Sequence, residues 1–214
     1  MRFDAWEPFY REILHDFGFS RDRDEEAGMI LSDFLRSVDD SSKILAEALK
    51  LVRGQFVVVC GNAHSLADEL EDAIRDQESH IYIASDGATS TLLKLGLVPG
   101  IIVTDLDGNM EDILRANEMG SIVVVHAHGD NKDLLLEYVP RLRKVIGTTQ
   151  SRPTNGLYNF GGFTDGDRAV FLAKHLDALK IKLIGFDFED ESVTLRKHKK
   201  LNWAKRLIDL ALSQ

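Results

Sequence analysis

GIIVTDLDG, residues Gly100 to Gly108, is a short β-branched run that ends in an acidic, glycine-containing turn. A strand buried on both faces reads as a near-continuous Val/Ile run, which is the habit of a parallel sheet covered by helices. In such a sheet the carboxyl ends of the strands share one rim, where ligands bind. The pattern recurs along the chain. QFVVVC leads to Gly61-Asn62-Ala63-His64-Ser65, HIYIAS to Asp86-Gly87, and SIVVV to His126-Ala127-His128-Gly129-Asp130-Asn131. RKVIGTT leads to Gln150, and KIKLIG runs into Phe186-Asp187-Phe188-Glu189-Asp190. Helix-compatible stretches at 65–77, 89–95, 110–118, 132–138 and 164–176 alternate with these runs. The pattern predicts an α/β fold with a Rossmann-like, mainly parallel sheet flanked by helices.

Residues 1–54 read differently. Trp6, Phe9, Tyr10, Ile13, Leu14 and Phe17 form one apolar stripe at helical spacing. Ala27, Ile30, Leu31, Phe34, Leu35 and Val38 form a second, whose acidic start suits a helix N-terminus. A third, with Ile44, Leu45, Ala48, Leu51 and Val52, begins at Ser41 or Ser42. No polar constellation accompanies the stripes, so this segment reads as a helical support for the domain at 55–214, or as a face that allows a homodimer. The chain closes with a basic segment at 196–200 and an apolar helix at 201–212.

Bulk properties narrow the partners. A formal net charge of -9 argues against a duplex-binding face, which needs concentrated basic residues. A small anionic substrate remains compatible, because a divalent metal reverses the local sign. The single cysteine, Cys60, forms no intramolecular disulfide and fits a reducing cytoplasm. The MRFDAWEPFY start lacks a signal-peptide layout, and no apolar run approaches the ~20 residues that span a bilayer. The expectation is a soluble cytoplasmic protein without nucleic-acid or membrane partners.

Each rim loop also has an ordinary explanation. Gly61 permits close backbone approach to a phosphate, and Ser65 with Asp68 resembles a helix capping box. Asp86-Gly87 suits either a ribose contact or a turn. Asp105 and Asp107, read as two apart on one strand face and roughly 6–7 Å apart along it, suit a shared metal. His126, His128 and Asp130 repeat that spacing; with acids and amides around them they favour a hard ion, which leaves the histidines to support the acids or bind phosphate. Thr164 and Asp167 make a capping box, which leaves Asp165 unexplained. Taken together the loops suggest phosphates held on glycine turns, Mg²⁺ on the acids, and Arg168 neutralising charge on a transferring phosphoryl group.

The blocks Ser85 to Ala88, Asp105 to Gly108, His126 to Asn131, Gly147 to Gln150 and Asn159 to Val170, in this order, resemble the archaeal 6-hydroxymethyl-7,8-dihydropterin diphosphokinase family, itself similar to the thiamin diphosphokinase catalytic domain. The resemblance implies transfer of diphosphate from ATP to a reduced pterin, with release of AMP and a requirement for Mg²⁺. It implies Asp105, Asp107 and Asp130 as metal ligands, with Asp165 and Asp167 as alternates, and Arg168 beside them in catalysis. Gly61, Asn62, Ser65, Asp86 and Gly87 would meet the nucleotide. Gln150, Asn159 and Phe160, with His126 and His128, would meet the pterin. The chain departs from the wider family at Ala63-His64-Ser65-Leu66, commonly Gly-Pro-Ser-Leu, and at Ser85, commonly Ala. A thiamin diphosphokinase and a nucleotide-binding protein without transferase activity are the alternative readings.

Overall fold

A computed structural model describes residues 1–36, 41–75, 80–154 and 156–213. Val38, at the end of the second stripe, and Gln77, at the end of the first predicted crossover helix, lie outside the described residues. The chain begins with α1 (Phe3–Phe17), α2 (Arg21–Leu35) and α3 (Ser41–Val52). Strands and helices then alternate: β1 (Phe56–Cys60), α4 (Leu66–Arg75), β2 (Ile81–Ser85), α5 (Ala88–Lys94), β3 (Ile101–Thr104), α6 (Met110–Glu118), β4 (Ile122–Ala127), α7 (Lys132–Tyr138) and β5 (Val145–Thr149). β6 (Leu157–Tyr158), α8 (Asp165–His175), β7 (Lys180–Ile184) and α9 (Leu195–Ser213) complete it.

The seven strands lie in the order β6-β5-β4-β3-β2-β1-β7. Every pairing is parallel, so the predicted fold class is borne out. From β1 to β5 the chain steps in one direction, so right-handed crossovers keep α4 to α7 on one face. The return from β6 to β7 runs the opposite way and lays α8 on the other. Alternate strand residues divide accordingly. Val58, Cys60, Ile102, Val123 and Val125 pack towards α2 and α4 to α7. Val57, Val59, Ile101, Val103, Ile122 and Val124 pack towards α1, α3, α8 and α9.

The first helices belong to this core. Trp6, Tyr10 and Ile13 of α1, Leu31 of α2, and Ala48 and Val52 of α3 are fully buried against the chain's own sheet. The stripes that allowed a homodimer are therefore spent on intrachain packing. Gly18 ends α1 in a left-handed conformation, and the Ser20 side chain accepts the Arg23 N–H to start α2. These two caps fix the α1–α2 turn, which reaches the sheet rim.

Three details differ from the sequence reading. The short β6 was not foreseen, because two residues carry no periodicity. The run KIKLIGFDF stops as a strand at Ile184, where Gly185 turns the chain with φ 66°. The basic segment and the final apolar helix are one continuous element, α9, since nothing in RKHKK breaks a helix. Among the described residues no helix is long and apolar enough to cross a membrane.

Candidate functional site

The sheet order reverses between β1 and β7, and a cleft of about 500 Å³ opens beside that point at the strands' carboxyl ends. Gly61, Asn62 and His64 line it from the β1 loop, and Ser85, Asp86 and Gly87 from the β2 loop. Asp105, Asp107 and Gly108 follow β3, while Thr164, Asp165, Gly166 and Arg168 come from the start of α8. Lys197 and Lys200 of α9 line it as well. Ser65 is exposed, directly precedes α4, and lies outside this lining. A shallow groove of similar volume between α1 and α9 is edged by Arg11, Asp16, Lys199 and Arg206 and contains none of the predicted site residues.

One ligand oxygen from each of Asp86, Asp105 and Asp107 lies within 4.8 Å of the others. The sequence placed Asp105 and Asp107 on one strand face; in fact β3 ends at Thr104 and both acids stand in the turn beyond it. Leu106 adopts φ 70° and buries its side chain in the core, which turns the acids on either side towards the cleft. Gly108 lies so close to Asp86 that a Cβ there would collide with the carboxylate. Gly87 is likewise pressed against the Asn62 side chain. These close approaches bring the β1, β2 and β3 loops into one acidic pocket.

Crowding shows in the proton affinities. Burial, reinforced by Asp105 and Asp107, pushes Asp86 up to about 6 despite the Thr104 hydroxyl that donates to it at 2.5 Å. Burial and the neighbouring Asp105 also raise Asp107. Burial opposes the ionisation of Asp105, but its hydrogen bond from His128, with the positive charge of Arg168, outweighs it and holds Asp105 low. Asp165 is raised well above the carboxylate range by burial and by Asp105, although Arg168, 3.2 Å away, works against this. Among the described residues, Asp86 Oδ1 and Asp105 Oδ1 are buried without a hydrogen-bond donor. Buried acceptors lacking donors, gathered at one point and all oxygen, match the needs of a hard divalent cation.

The β4 loop supports this cluster. The Asp130 N–H points to His128 Nδ1 at 3.3 Å, so Nε2 carries the proton donated to Asp105 at 3.2 Å. Asn131 donates to the Asp105 and His126 carbonyls, both at 2.8 Å, and accepts the His128 N–H at 3.0 Å, tying the β3 and β4 loops together. His126 is buried on β4 with Nδ1 3.1 Å from the Thr148 hydroxyl. Burial, then the Arg168 charge, holds His126 well below its usual value, so it is neutral. Asp130 stands apart from the acidic cluster and pairs with Arg23 at 3.2 Å.

Other predicted residues are engaged in building loops. The Asp167 carboxylate accepts the Phe163 and Thr164 N–H groups and the Thr164 hydroxyl, completing the capping box of α8. Asn159 donates to the Gln150 and Ser151 carbonyls and accepts the Gly161 N–H. Phe160 stacks on Tyr158 and leans on His175. With His126 and Thr148 these two residues border a separate void of about 10 Å³, the size of one water. Gln150 instead lines a second cleft, of about 100 Å³, on the far side of Asp105 and Arg168.

That second cleft contains residues the sequence reading missed. Asp24 is buried and accepts from the Tyr10 hydroxyl, the Gln150 amide and the Gly129 N–H, all at 2.8 Å. Arg23 donates to the Gly129 carbonyl at 3.1 Å, and Trp6 donates to the Gln150 carbonyl at 2.9 Å. In the sequence Asp24 belongs to an acidic run that suits a helix N-terminus, and only long-range packing distinguishes it from Asp22. Lys200, by contrast, had a signal in the basic segment before the final apolar stripe.

Residues 32–192 match the family described as 6-hydroxymethylpterin diphosphokinase MptE-like. The chain belongs to this family. The resemblance read from its loop blocks is thus borne out, and all of the acidic cluster lies within the matched residues. Over 98% of its length the chain is 45% identical to the 6-hydroxymethyl-7,8-dihydropterin pyrophosphokinase of Methanothermobacter thermautotrophicus, covering 94% of that relative. It is 40% identical to the enzyme of the same name from Pyrococcus furiosus, again over 98% of the chain and 94% of the relative. Against the Methanocaldococcus jannaschii enzyme of that name the identity is 38%, over 98% of the chain and 95% of the relative. Members of the family with this name therefore align along the N-terminal helices as well as along the sheet.

Proposed function

We propose that the chain transfers diphosphate from ATP to the hydroxymethyl group of 6-hydroxymethyl-7,8-dihydropterin, releasing AMP, with Mg²⁺ held by Asp86, Asp105 and Asp107. The observation that carries the reading is the acidic cluster with its two donorless buried oxygens, set at the rim of the larger cleft. Mg²⁺ there would neutralise the triphosphate and favour charge build-up on its bridging oxygens. The names of the relatives favour a pterin over thiamin as acceptor.

In this reading the nucleotide lies in the larger cleft, with Gly61, Asn62 and Gly87 beside it and its phosphates facing the N-terminus of α8, where backbone N–H groups favour anions. The acceptor hydroxyl oxygen bonds to the β-phosphorus and gives up its proton to solvent, the bond from that phosphorus to the bridging oxygen of the α-phosphate breaks, and AMP leaves with that electron pair. Arg168, held by Asp165, and Lys200 meet the charge on the transferring group. His128 keeps Asp105 ionised and oriented. Incubation with ATP, Mg²⁺ and the pterin tests this directly. AMP and a diphosphorylated pterin are expected, whereas ADP or an unchanged pterin overturns the reaction.

A further inference from the structure

Among the described residues, the two clefts share only Asp105, Phe163, Arg168 and Lys200. A two-substrate transfer requires such a junction: each reactant occupies its own cavity, and the reacting atoms meet where the cavities join. The larger cavity takes the nucleotide in the reading above, on which this inference rests. The smaller, at about 100 Å³, falls well short of the several hundred Å³ typical of sites for larger ligands and suits a compact flat one.

We infer that the smaller cleft, walled by the α1–α2 turn, is the acceptor site, and that Phe19, Asp24 and Gln150 recognise a flat heterocycle carrying an amide-like edge. Phe19 and Phe163 border the slot with ring centroids 6.4 Å apart and planes inclined by 54°, so one offers a face and the other an edge to a planar guest. Asp24 Oδ2 is occupied by Tyr10 and Gln150, whereas Oδ1 accepts only the Gly129 N–H. A ring amine or N–H can take its remaining lone pair. The Gln150 Nε2 bonded to Asp24 keeps a second N–H for a ring carbonyl. An aminopyrimidinone edge presents this pairing, two donors beside an acceptor. Asp105 and Arg168 border the same slot, where it meets the larger cleft.

The N-terminal helices are then part of the specificity machinery. Trp6 holds the Gln150 carbonyl, Tyr10 holds Asp24, and Arg23 holds the Gly129 carbonyl. The Trp6 and Arg23 bonds link α1 and α2 to loops that edge the slot, and the Tyr10 bond ties α1 to α2 at Asp24. The site cannot form from the sheet domain alone.

Steady-state kinetics on the full chain test the assignment through two variants. Phe19→Leu keeps apolar volume on a half-buried turn residue but removes the ring face. Asp24→Asn keeps shape but places an amide where an acceptor is needed. The expected result is a pterin KM raised roughly three- to tenfold in Phe19→Leu and more in Asp24→Asn, with the ATP KM within twofold of wild type. Phe19→Tyr restores the pterin KM. A thermal shift with a non-hydrolysable ATP analogue and Mg²⁺ matches wild type in both variants, which separates loss of the slot from loss of the fold. If Asp24→Asn fails to fold, Phe19→Leu and its rescue decide the matter alone. A pterin KM unchanged in Phe19→Leu, or ATP and pterin KM rising together, overturns the acceptor site. Wild type that yields no AMP with the pterin overturns the reaction itself, a separate outcome.

Discussion

The two clefts that meet at Asp105 and Arg168 are built by opposite means. The larger is made of consecutive loop residues just past strand ends, where glycines let backbones and carboxylates crowd together. The smaller is made of side chains far apart in sequence, with Asp24 bonded to Gly129 and Gln150 across the sheet rim. In the first, chemistry is written locally and folding only aligns the loops. In the second, chemistry exists only after α1 and α2 have docked. Substitutions should therefore behave differently on the two sides: changes in the larger cleft should cost turnover and spare stability, while changes behind the smaller one should cost both modestly.

The largest effect is expected at Asp107. The side chain is exposed, so Asp107→Asn leaves the fold and melting temperature unchanged but removes one charge from the proposed metal cluster. Turnover should fall by about 10²–10³-fold or more, the scale of losing a preorganised charge at a transferring group. AMP release measured beside a melting curve checks it. Near-wild-type turnover would move the metal away from this cluster.

Gly108→Ala comes next and tests the loop-crowding argument without touching a charge. The new Cβ must displace the Asp86 carboxylate or the β3 loop. A displacement on the order of 1 Å at a reacting centre costs about a hundredfold in rate. A raised Mg²⁺ requirement should accompany the loss, and excess metal should recover part of the activity. A Gly108→Ala enzyme with unchanged Mg²⁺ dependence would break the link between Gly108 and the cluster.

The same contrast explains what could be read from the sequence. The sheet and its crossover helices were legible because Val/Ile runs and helical stripes are local patterns, and six strand-end loops appeared in order. Asp105 and Asp107 were found, but for a reason the fold replaces: they share a direction through the left-handed turn at Leu106, not through strand alternation. Asp86 was read as a nucleotide contact, since its closeness to Asp105 and Asp107 depends on the pairing of β2 with β3. Asp24, Tyr10 and Arg23 carried no signal for a site: Tyr10 read as part of an apolar stripe and Asp24 as a helix-start acid. Their partners lie across the sheet rim or on a neighbouring helix, and a buried acid on an apolar helix looks like any other helix-start acid until it is packed.

On the side of the smaller cleft, Tyr10→Phe deletes one of three donors to a buried carboxylate and leaves packing intact. Stability should drop by about 0.5–1.5 kcal/mol, the net worth of such a bond, or up to ~3 kcal/mol if Asp24 is left unsatisfied. Denaturant melts measure this, and the ATP KM should stay unchanged. A Tyr10→Phe enzyme as stable as wild type would mean that water or Gln150 satisfies Asp24 without help from α1.

The smallest effect is expected at Arg23. Its ion pair with Asp130 is more than half exposed at both ends, and such pairs contribute about 0–1 kcal/mol because solvent screens the charges and the side chains lose freedom. The hydrogen bond to the Gly129 carbonyl adds a second tether, but that carbonyl can turn to water if Arg23 is removed. Arg23→Ala should therefore lower stability by less than ~1 kcal/mol, with the effect fading as salt is added. Pterin KM should rise no more than about twofold, because Arg23 restrains the loop that carries His128 and Gly129 without meeting the ring. Arg23 and Asp130 already line this cleft, so a large, salt-sensitive rise in the pterin KM would mean that the guanidinium meets the acceptor itself rather than only restraining the loop.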